Sequence, residues 1–236
     1  MTGTPGTDIR FINEEFHADI ITPGHLDTLL ADGWRHFGTH FFRYNLAVYR
    51  DEIRRVIPLR MRLSDIQLSK SQRRVLKRNA DLRSVIRPIE ITEESHALFH
   101  RHKQRFDHGI PASIYDFLSR EPATVPNEAR EIAVYRDHTL VAVSYFDVGL
   151  TTTSGIYAIF DPDEQKRRLG IFTMLKEIEH AGRTGREFYY QGYAYEGESF
   201  YDYKKRFSSL ERYDWNGNWT EFQGDSPQRT QRAQSK

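Results

Sequence analysis

The 236-residue sequence predicts an α+β fold: a mixed, mainly antiparallel sheet flanked by helices, with a smaller N-terminal α/β subdomain. Two observations lead there. Residues 132–135, 140–146 and 154–160 are β-branched and aromatic runs separated by turn-forming Asp137-His138 and by 147–150, the pattern of three antiparallel strands. After Asp161-Pro162, a basic loop reaches Leu169-Gly170. Apolar residues then recur at Ile171, Met174, Leu175 and Ile178 with helical period, and a further strand follows over 187–191. That order, with a glycine where the helix begins, is a βαβ-like core able to carry an acyl-transfer site.

Each remaining element has its own signal. Residues 10–17 alternate as a strand; Thr22-Pro23 opens a short helix over 25–31, closed by Gly33. Aromatic residues over 33–45 predict a strand pair bent near Gly38, and 57–63 a short strand carrying Arg60 and Arg62. Residues 68–81 read as a helix capped by Ser69 or Ser71, with Val75 and Leu76 inward. A strand over 83–91, a helix over 93–106 and a short helix over 111–118 complete the middle. Residues 9–90 form the expected subdomain and 91–220 the main domain, with residues 1–8 and 221–236 expected to be disordered.

Composition excludes several classes. No apolar run approaches the ~20 residues of a membrane span, and the first residues lack the basic and apolar regions of a secretory signal. With zero Cys there are no disulfides and no thiolate metal sites, which fits a cytoplasmic protein; a monomer without resident metal is the accompanying expectation. His96, His100 and His102 share a helix, but no supporting ligand spacing accompanies them, and a solvated His-rich face is the expectation. Net charge is only +1, yet residues 50–87 hold 12 Lys/Arg against 4 Asp/Glu. Such a block reads either as a polyanion-facing patch or as a solvated helix face.

The chain also resembles a known family, on motifs spread over residues 20–220. Asp161-Pro162, Leu169-Gly170, Gly192-Tyr193, Tyr203-Lys204, Phe207, Glu211, Gly217 and Trp219 follow the order and spacing of the C-terminal catalytic domain of arginyl-tRNA–protein transferases and the bacterial leucyl-tRNA–protein transferases. Gly33, Trp34, Arg35, Gly38, Phe42 and Arg43 match an upstream motif. Ser69, Ser71, Gln72, Arg73, Arg74, Arg78, Asn79, Asp81 and Leu82 match a third. The resemblance implies a GCN5-related acetyltransferase-like fold, whose strand order is the one read above. It also implies transfer of arginine or leucine from aminoacyl-tRNA, the co-substrate, to the N-terminal amine of an acceptor protein or peptide, as in N-degron tagging. No cofactor is implied. The family's cysteine cluster is replaced here by 45–49, so metal or redox regulation does not carry over.

Aminolysis of an ester needs a neutral amine, placement, and donors for the developing oxyanion. Asp161 and Glu196 are candidates for deprotonating or orienting the amine, and Gln191 and Tyr193, at the end of their strand, for holding the donor's amino group or polarising its carbonyl. Tyr157 and Tyr203 either stack on the terminal adenosine or pack in the core. The resemblance places Trp34, Arg35, Arg43, Gly170 and Lys204 at the substrates, with Arg35 or Arg43 clamping an acidic acceptor residue, and Arg168, which stands where the family has serine, is a further substrate-binding candidate. It places Lys70, Gln72, Arg73, Arg74, Lys77 and Arg78 on the tRNA backbone. Two rivals remain: an acyl-CoA-dependent N-acetyltransferase, against which Phe172 stands where acetyltransferases carry Gly or Ala, and a catalytically silent tRNA-binding protein.

Overall fold

The computed structural model describes residues 10–222. A small antiparallel sheet combines β1 (Asn13–His17), β2 (Arg35–Phe37) and β3 (His40–Tyr44), covered by helix α1 (Pro23–Ala31). Thr22 Oγ1 accepts from His25 N and caps α1, with Pro23 at its first position. Leu26, Leu29 and Leu30 then pack on Phe41 and Tyr190. The bend expected near Gly38 is the turn between β2 and β3, and Gly38 adopts φ 52° there.

The main sheet has nine strands. A hairpin of β4 (Leu46–Tyr49) and β5 (Glu52–Arg62) turns at Arg50-Asp51, both with positive φ. Helix α2 (Lys70–Arg78) and edge strand β6 (Arg83–Pro88) follow, then helix α3 (Glu93–Lys103). Next come β7 (Ala129–Arg136), β8 (Thr139–Val148), β9 (Thr152–Phe160), helix α4 (Leu169–Arg183) and β10 (Phe188–Tyr195). Strands β11 (Leu210–Tyr213) and β12 (Trp219–Glu221) finish the order β12-β11-β5-β10-β9-β8-β7-β6, with β4 beside β5. Every pairing is antiparallel except β9 with β10. This is the mainly antiparallel α+β fold expected, with the acetyltransferase order β7-β8-β9-α4-β10.

Strand β8 is apolar almost throughout because both of its faces are covered. One face packs on α4 through Leu169, Phe172, Leu175 and Ile178, the other on α3 through Leu98 and Phe99. Full burial of each such side chain contributes roughly 1.5–3 kcal/mol. Three details differ from the sequence expectations. The segment 111–118 forms only a short turn of 3-10 helix, Ile114–Asp116. The strand expected over 57–63 is eleven residues long and lies between β10 and β11, so β5, α2 and β6 belong to the main sheet and its packing while only β1–β3 and α1 stand apart. His102 is buried, with Nδ1 3.0 Å from Phe160 N and 3.1 Å from Phe160 O, so the His-rich face of α3 is not wholly solvated. The disorder expected for residues 1–8 and 223–236 falls outside the described residues; Glu221 closes β12 and Phe222 packs against the core.

Candidate active site

The site begins where a ladder ends. Parallel pairing of β9 with β10 covers only Thr152–Phe188, Thr153–Tyr189 and Ser154–Tyr190. Just past it both strands bulge. On β9, Tyr157 and Gly155 pair with consecutive residues of β8, leaving Ile156 extra; on β10, Tyr190 and Gly192 pair with consecutive residues of β5, leaving Gln191 extra. A bulge bends its strand and re-aims the extra side chain. Two bulges at one level spread the strands into a fork.

Arg35 of β2 enters that fork. Its guanidinium donates to Ser154 Oγ and to Gly155 O, both at 2.5 Å. Lys204 arrives from the 3-10 segment Phe200–Arg206 and donates from Nζ to Tyr193 O at 2.9 Å. The two cations meet over Gly192, which has φ 83°. A Cβ there would lie 3.3 Å from Lys204 Nζ and 3.6 Å from Arg35 Nε, so glycine serves both the backbone angle and the close approach. Neither cation has a carboxylate within ion-pair distance among the described residues. Both keep some solvent contact, yet protein encloses them deeply enough for desolvation to dominate. Burial, then the neighbouring Arg35, pushes the Lys204 ammonium down to about 7. Burial also lowers Arg35, against the attraction of Asp147 and of more distant groups.

The acids near Arg35 are engaged elsewhere. Asp147 accepts from Asn127 Nδ2 at 3.1 Å and lies 3.0 Å from His36 Nε2. Glu177 of α4 accepts from the Tyr189 hydroxyl at 2.5 Å, and burial pushes its carboxyl up to about 7. A Cβ on Gly155 would sit 2.7 Å from Tyr189 OH and 3.0 Å from Glu177 Oε2, so this pair packs directly against the backbone at the base of the fork.

Gln191, the residue extruded by the β10 bulge, donates from Nε2 to Lys204 O at 2.9 Å, while its Oε1 is buried without a partner. The Tyr157 ring stacks on Phe117 at 3.7 Å, and its hydroxyl is likewise buried and unpartnered. Burial pushes the Tyr157 and Tyr203 hydroxyls up to about 12, and Arg105 acts on both. Arg35, Lys204 and Gln191 are thus brought together about Gly192.

The other sequence candidates lie apart from it or are occupied. Asp161 caps the turn before α4, accepting from Asp163 N at 3.0 Å, and pairs with Arg101 at 3.0 Å. Tyr193 donates to Gly33 O at 2.7 Å and ties β10 to the small sheet. Glu196 is exposed, 3.7 Å from Arg55. Arg43 lies on the opposite face of the small sheet from Arg35, paired with Glu14 at 2.6 Å and over the Trp34 ring at 4.9 Å. At the start of α4, Arg168 adopts φ 56° and donates to Ser71 Oγ at 3.2 Å, and Gly170 leaves room for the Phe160 ring. The Phe172 ring is buried in the core, so its bulk does not cover that helix start and does not discriminate against acetyl-CoA there. Along α2, Lys70, Arg73, Arg74, Lys77 and Arg78 are exposed. Gln72 is not on that face: it closes the capping box with Ser69 and donates to Arg206 O at 3.3 Å.

Sequence reasoning missed Glu177 and Tyr189, which sit in ordinary helix and strand patterns. The glycines inside strand-like runs, Gly155 and Gly192, were the available signal for the bulges.

The fold is the mixed, mainly antiparallel α+β sheet expected, and the fork sets two cations beside a buried, unpartnered amide oxygen at the point where β9 and β10 part. Comparison with known proteins supplies the class. Residues 94–214 match the family described as "Arginine-tRNA-protein transferase, C terminus". Over 214 residues the chain is 32% identical to an aspartate/glutamate leucyltransferase of Cereibacter sphaeroides, covering 87% of this chain and 74% of that one. It is 34% identical over 177 residues to the protein of the same name from Xanthomonas campestris pv. campestris, covering 70% and 69%. A solved structure from Agrobacterium fabrum, the C-terminal domain of a putative lysylphosphatidylglycerol synthetase, superposes with a TM-score of 0.48 at 17% identity over 79% of this chain and 56% of that one. The chain belongs to the arginine-tRNA-protein transferase family and is an aminoacyl-tRNA–protein transferase. Among the described residues no helix is long and apolar enough to cross a membrane.

Proposed function

We propose that this chain transfers leucine from leucyl-tRNA to the N-terminal amine of a protein or peptide that begins with Asp or Glu, acting in the cytoplasm where charged tRNA is available. The fork carries this reading: it combines buried, unpartnered polar atoms with cations that no acid pairs with among the described residues. The acceptor nitrogen attacks the ester carbonyl carbon, a C–N bond forms, and the C–O bond to the terminal ribose breaks. The proton released by the amine ends on the departing ribose hydroxyl. An α-amine already titrates near pH 7.7–8.0. Arg35 and Lys204 beside it disfavour a further positive charge, so the neutral nucleophile is populated without a strong base. Gln191 Oε1 accepts from an amino group, and the Tyr157 hydroxyl, which stays protonated at neutral pH, is the donor for the oxyanion. Tyr203 is the platform for the terminal adenosine, and the exposed cations of α2 meet the tRNA backbone.

Leucine fits better than arginine as the transferred residue. The fork presents two cations and no free carboxylate among the described residues, so a third cation would be repelled. The deciding experiment offers purified protein a mixture of radiolabelled aminoacyl-tRNAs and peptides differing only in their first residue. Label from leucyl-tRNA in Asp- and Glu-initiated peptides is expected. Label arriving only from arginyl-tRNA, or acetyl transfer from acetyl-CoA in its place, overturns the assignment.

A further inference from the structure

We propose that Lys204 is the proton carrier of the transfer: its side-chain nitrogen takes the proton from the acceptor's amine as the C–N bond forms and hands it to the ribose oxygen as the C–O bond breaks. This rests on the transferase reading above and names the group that moves the proton. Asp161 and Glu196, the carboxylates expected to serve the amine, lie elsewhere, each beside an arginine. Glu177 and Asp147 are buried and engaged, Glu177 by the Tyr189 hydroxyl and Asp147 by Asn127 and His36. Of the groups gathered about Gly192, Lys204 is the one able to exchange a proton, since a guanidinium such as that of Arg35 does not give its proton up.

The geometry forces that exchange. Arg35 and Lys204 meet over Gly192, and both bind only neutral oxygens. Two enclosed like charges without an acid between them repel each other and lose hydration. Releasing one proton relieves both penalties, and the ammonium is the group that can release it. Burial, then Arg35, accordingly sets the Lys204 equilibrium at about 7. An α-amine titrates only slightly higher, so the proton passes between the two nitrogens at little cost in either direction. Besides Arg35 of β2, Nζ faces the Tyr201 ring of its own 3-10 segment, 5.2 Å away, and the neutral Tyr193 carbonyl of β10.

Lys204 is held for this task in both of its states. As a free amine it has two N–H groups and a lone pair; one N–H stays on Tyr193 O, 2.9 Å away, and the lone pair is left for the incoming proton. Gln191 fixes its backbone, donating from Nε2 to Lys204 O at 2.9 Å, while the unpartnered Oε1 receives the acceptor's amino group. One bulge therefore anchors the reacting nitrogen and its proton carrier together. When the nitrogen adds to the ester carbonyl its N–H becomes acidic, and Lys204 takes the proton. The ammonium so formed stands beside Arg35, which drives the proton on to the departing ribose oxygen and restores the free amine. One proton leaves nitrogen, one arrives on oxygen, and none is consumed.

The test replaces Lys204 by residues that keep its charge or its space without its lone pair. With saturating leucyl-tRNA and an Asp-initiated peptide, kcat is expected to fall at least about a hundredfold in Lys204→Arg, with KM for the peptide within about threefold. The rise of kcat as pH passes about 7, expected for the unmodified protein, should be absent from that variant. Full kcat in Lys204→Arg shows that a fixed charge suffices, which overturns the carrier and leaves the transferase reading standing. Lys204→Ala is expected to lose kcat likewise and to regain at least about tenfold, counted as label on the peptide alone, when a small alkylamine is added. No recovery in a Lys204→Ala protein that still binds the peptide overturns the carrier as well. A further readout needs no turnover. In NMR of protein labelled at its lysine side chains, the Lys204 resonance, assigned by its loss in Lys204→Arg, is expected to titrate at about 7, and a midpoint above about 9 overturns the carrier. If the unmodified protein transfers no amino acid to any peptide, the transferase reading fails, and the step fails with it whatever the titration shows.

Discussion

Two groups of cations border β10, and they are treated oppositely. At the β5–β11 end, Arg60 lies between the rings of Phe188 at 3.9 Å and Trp219 at 4.4 Å, and its Nε donates to Glu211 at 2.6 Å. Arg62 takes the other Glu211 oxygen at 2.6 Å. Burial opposes the Glu211 charge, but the hydrogen bonds from Arg62 and Arg60 outweigh it and hold the carboxyl below the usual carboxylate range. At the fork, Arg35 and Lys204 have neither an enclosing pair of rings nor an ion-paired acid among the described residues. Residue type does not separate a structural cation from a binding one. The presence of a partner does.

The largest expected effects break that contrast on stability. Glu211→Gln leaves Arg60 enclosed without a counter-charge, a cost on the order of 3 kcal/mol. In a chain of this size it lowers Tm by roughly 6–12 °C in a thermal melt. Lys204→Met acts in the other direction: it removes a cation that the fold disfavours, and Tm rises by about 2–4 °C while transfer slows. A Tm drop of equal size in both variants would erase the distinction between the two ends.

A middle-sized effect tests the carboxyl beneath the fork. Burial raises Glu177 from 4.5 to about 7. A raised folded value means that this group's contribution to stability is full below the unfolded value near 4.5 and is lost as pH rises through about 7. Glu177→Gln cannot ionise, so the Tm difference between variant and unmodified protein should grow in the variant's favour between pH 4.5 and 8. Parallel curves would show that the folded carboxyl of Glu177 titrates no higher than the unfolded one.

What the sequence made legible follows from how local each signal is. The α2 cap could be narrowed to Ser69 or Ser71 because the signal is local; the structure selects Ser69, which Gln72 satisfies in return. The strands β7 to β9 could be read because apolar runs and turn residues alternate along the chain. Arg35 and Lys204 were each singled out at the substrates, but not together: their meeting joins residues 169 positions apart (204 − 35) through Gly192, and no periodicity encodes that. Nor could a pattern distinguish Arg35, which enters the fork, from Arg43, which pairs with Glu14 on the opposite face. Asp161 and Glu196 drew attention as carboxylates beside motif residues, and only three dimensions reveal the Arg101 and Arg55 beside them.

The smallest effect on stability concerns α2, whose cations lack acidic partners among the described residues for a different reason: they face water. Arg74 and Lys77 have no ion-pair or hydrogen-bond partner among the described residues, whereas Arg73 and Arg78 donate only to the backbone carbonyls of Leu68 and Lys166. Hydration already compensates exposed charges, so Arg73→Gln with Arg74→Gln should change stability by less than about 0.5 kcal/mol. Binding to tRNA should respond where folding does not. Each phosphate that the protein ceases to neutralise reduces the steepness of log K against log salt by roughly 0.7–0.9, so the double variant is expected to flatten it by about 1.5. A double variant whose salt slope matches the unmodified protein would show that α2 is only a solvated face, and would move the tRNA-binding surface to the cations before α4, Lys166 and Arg168.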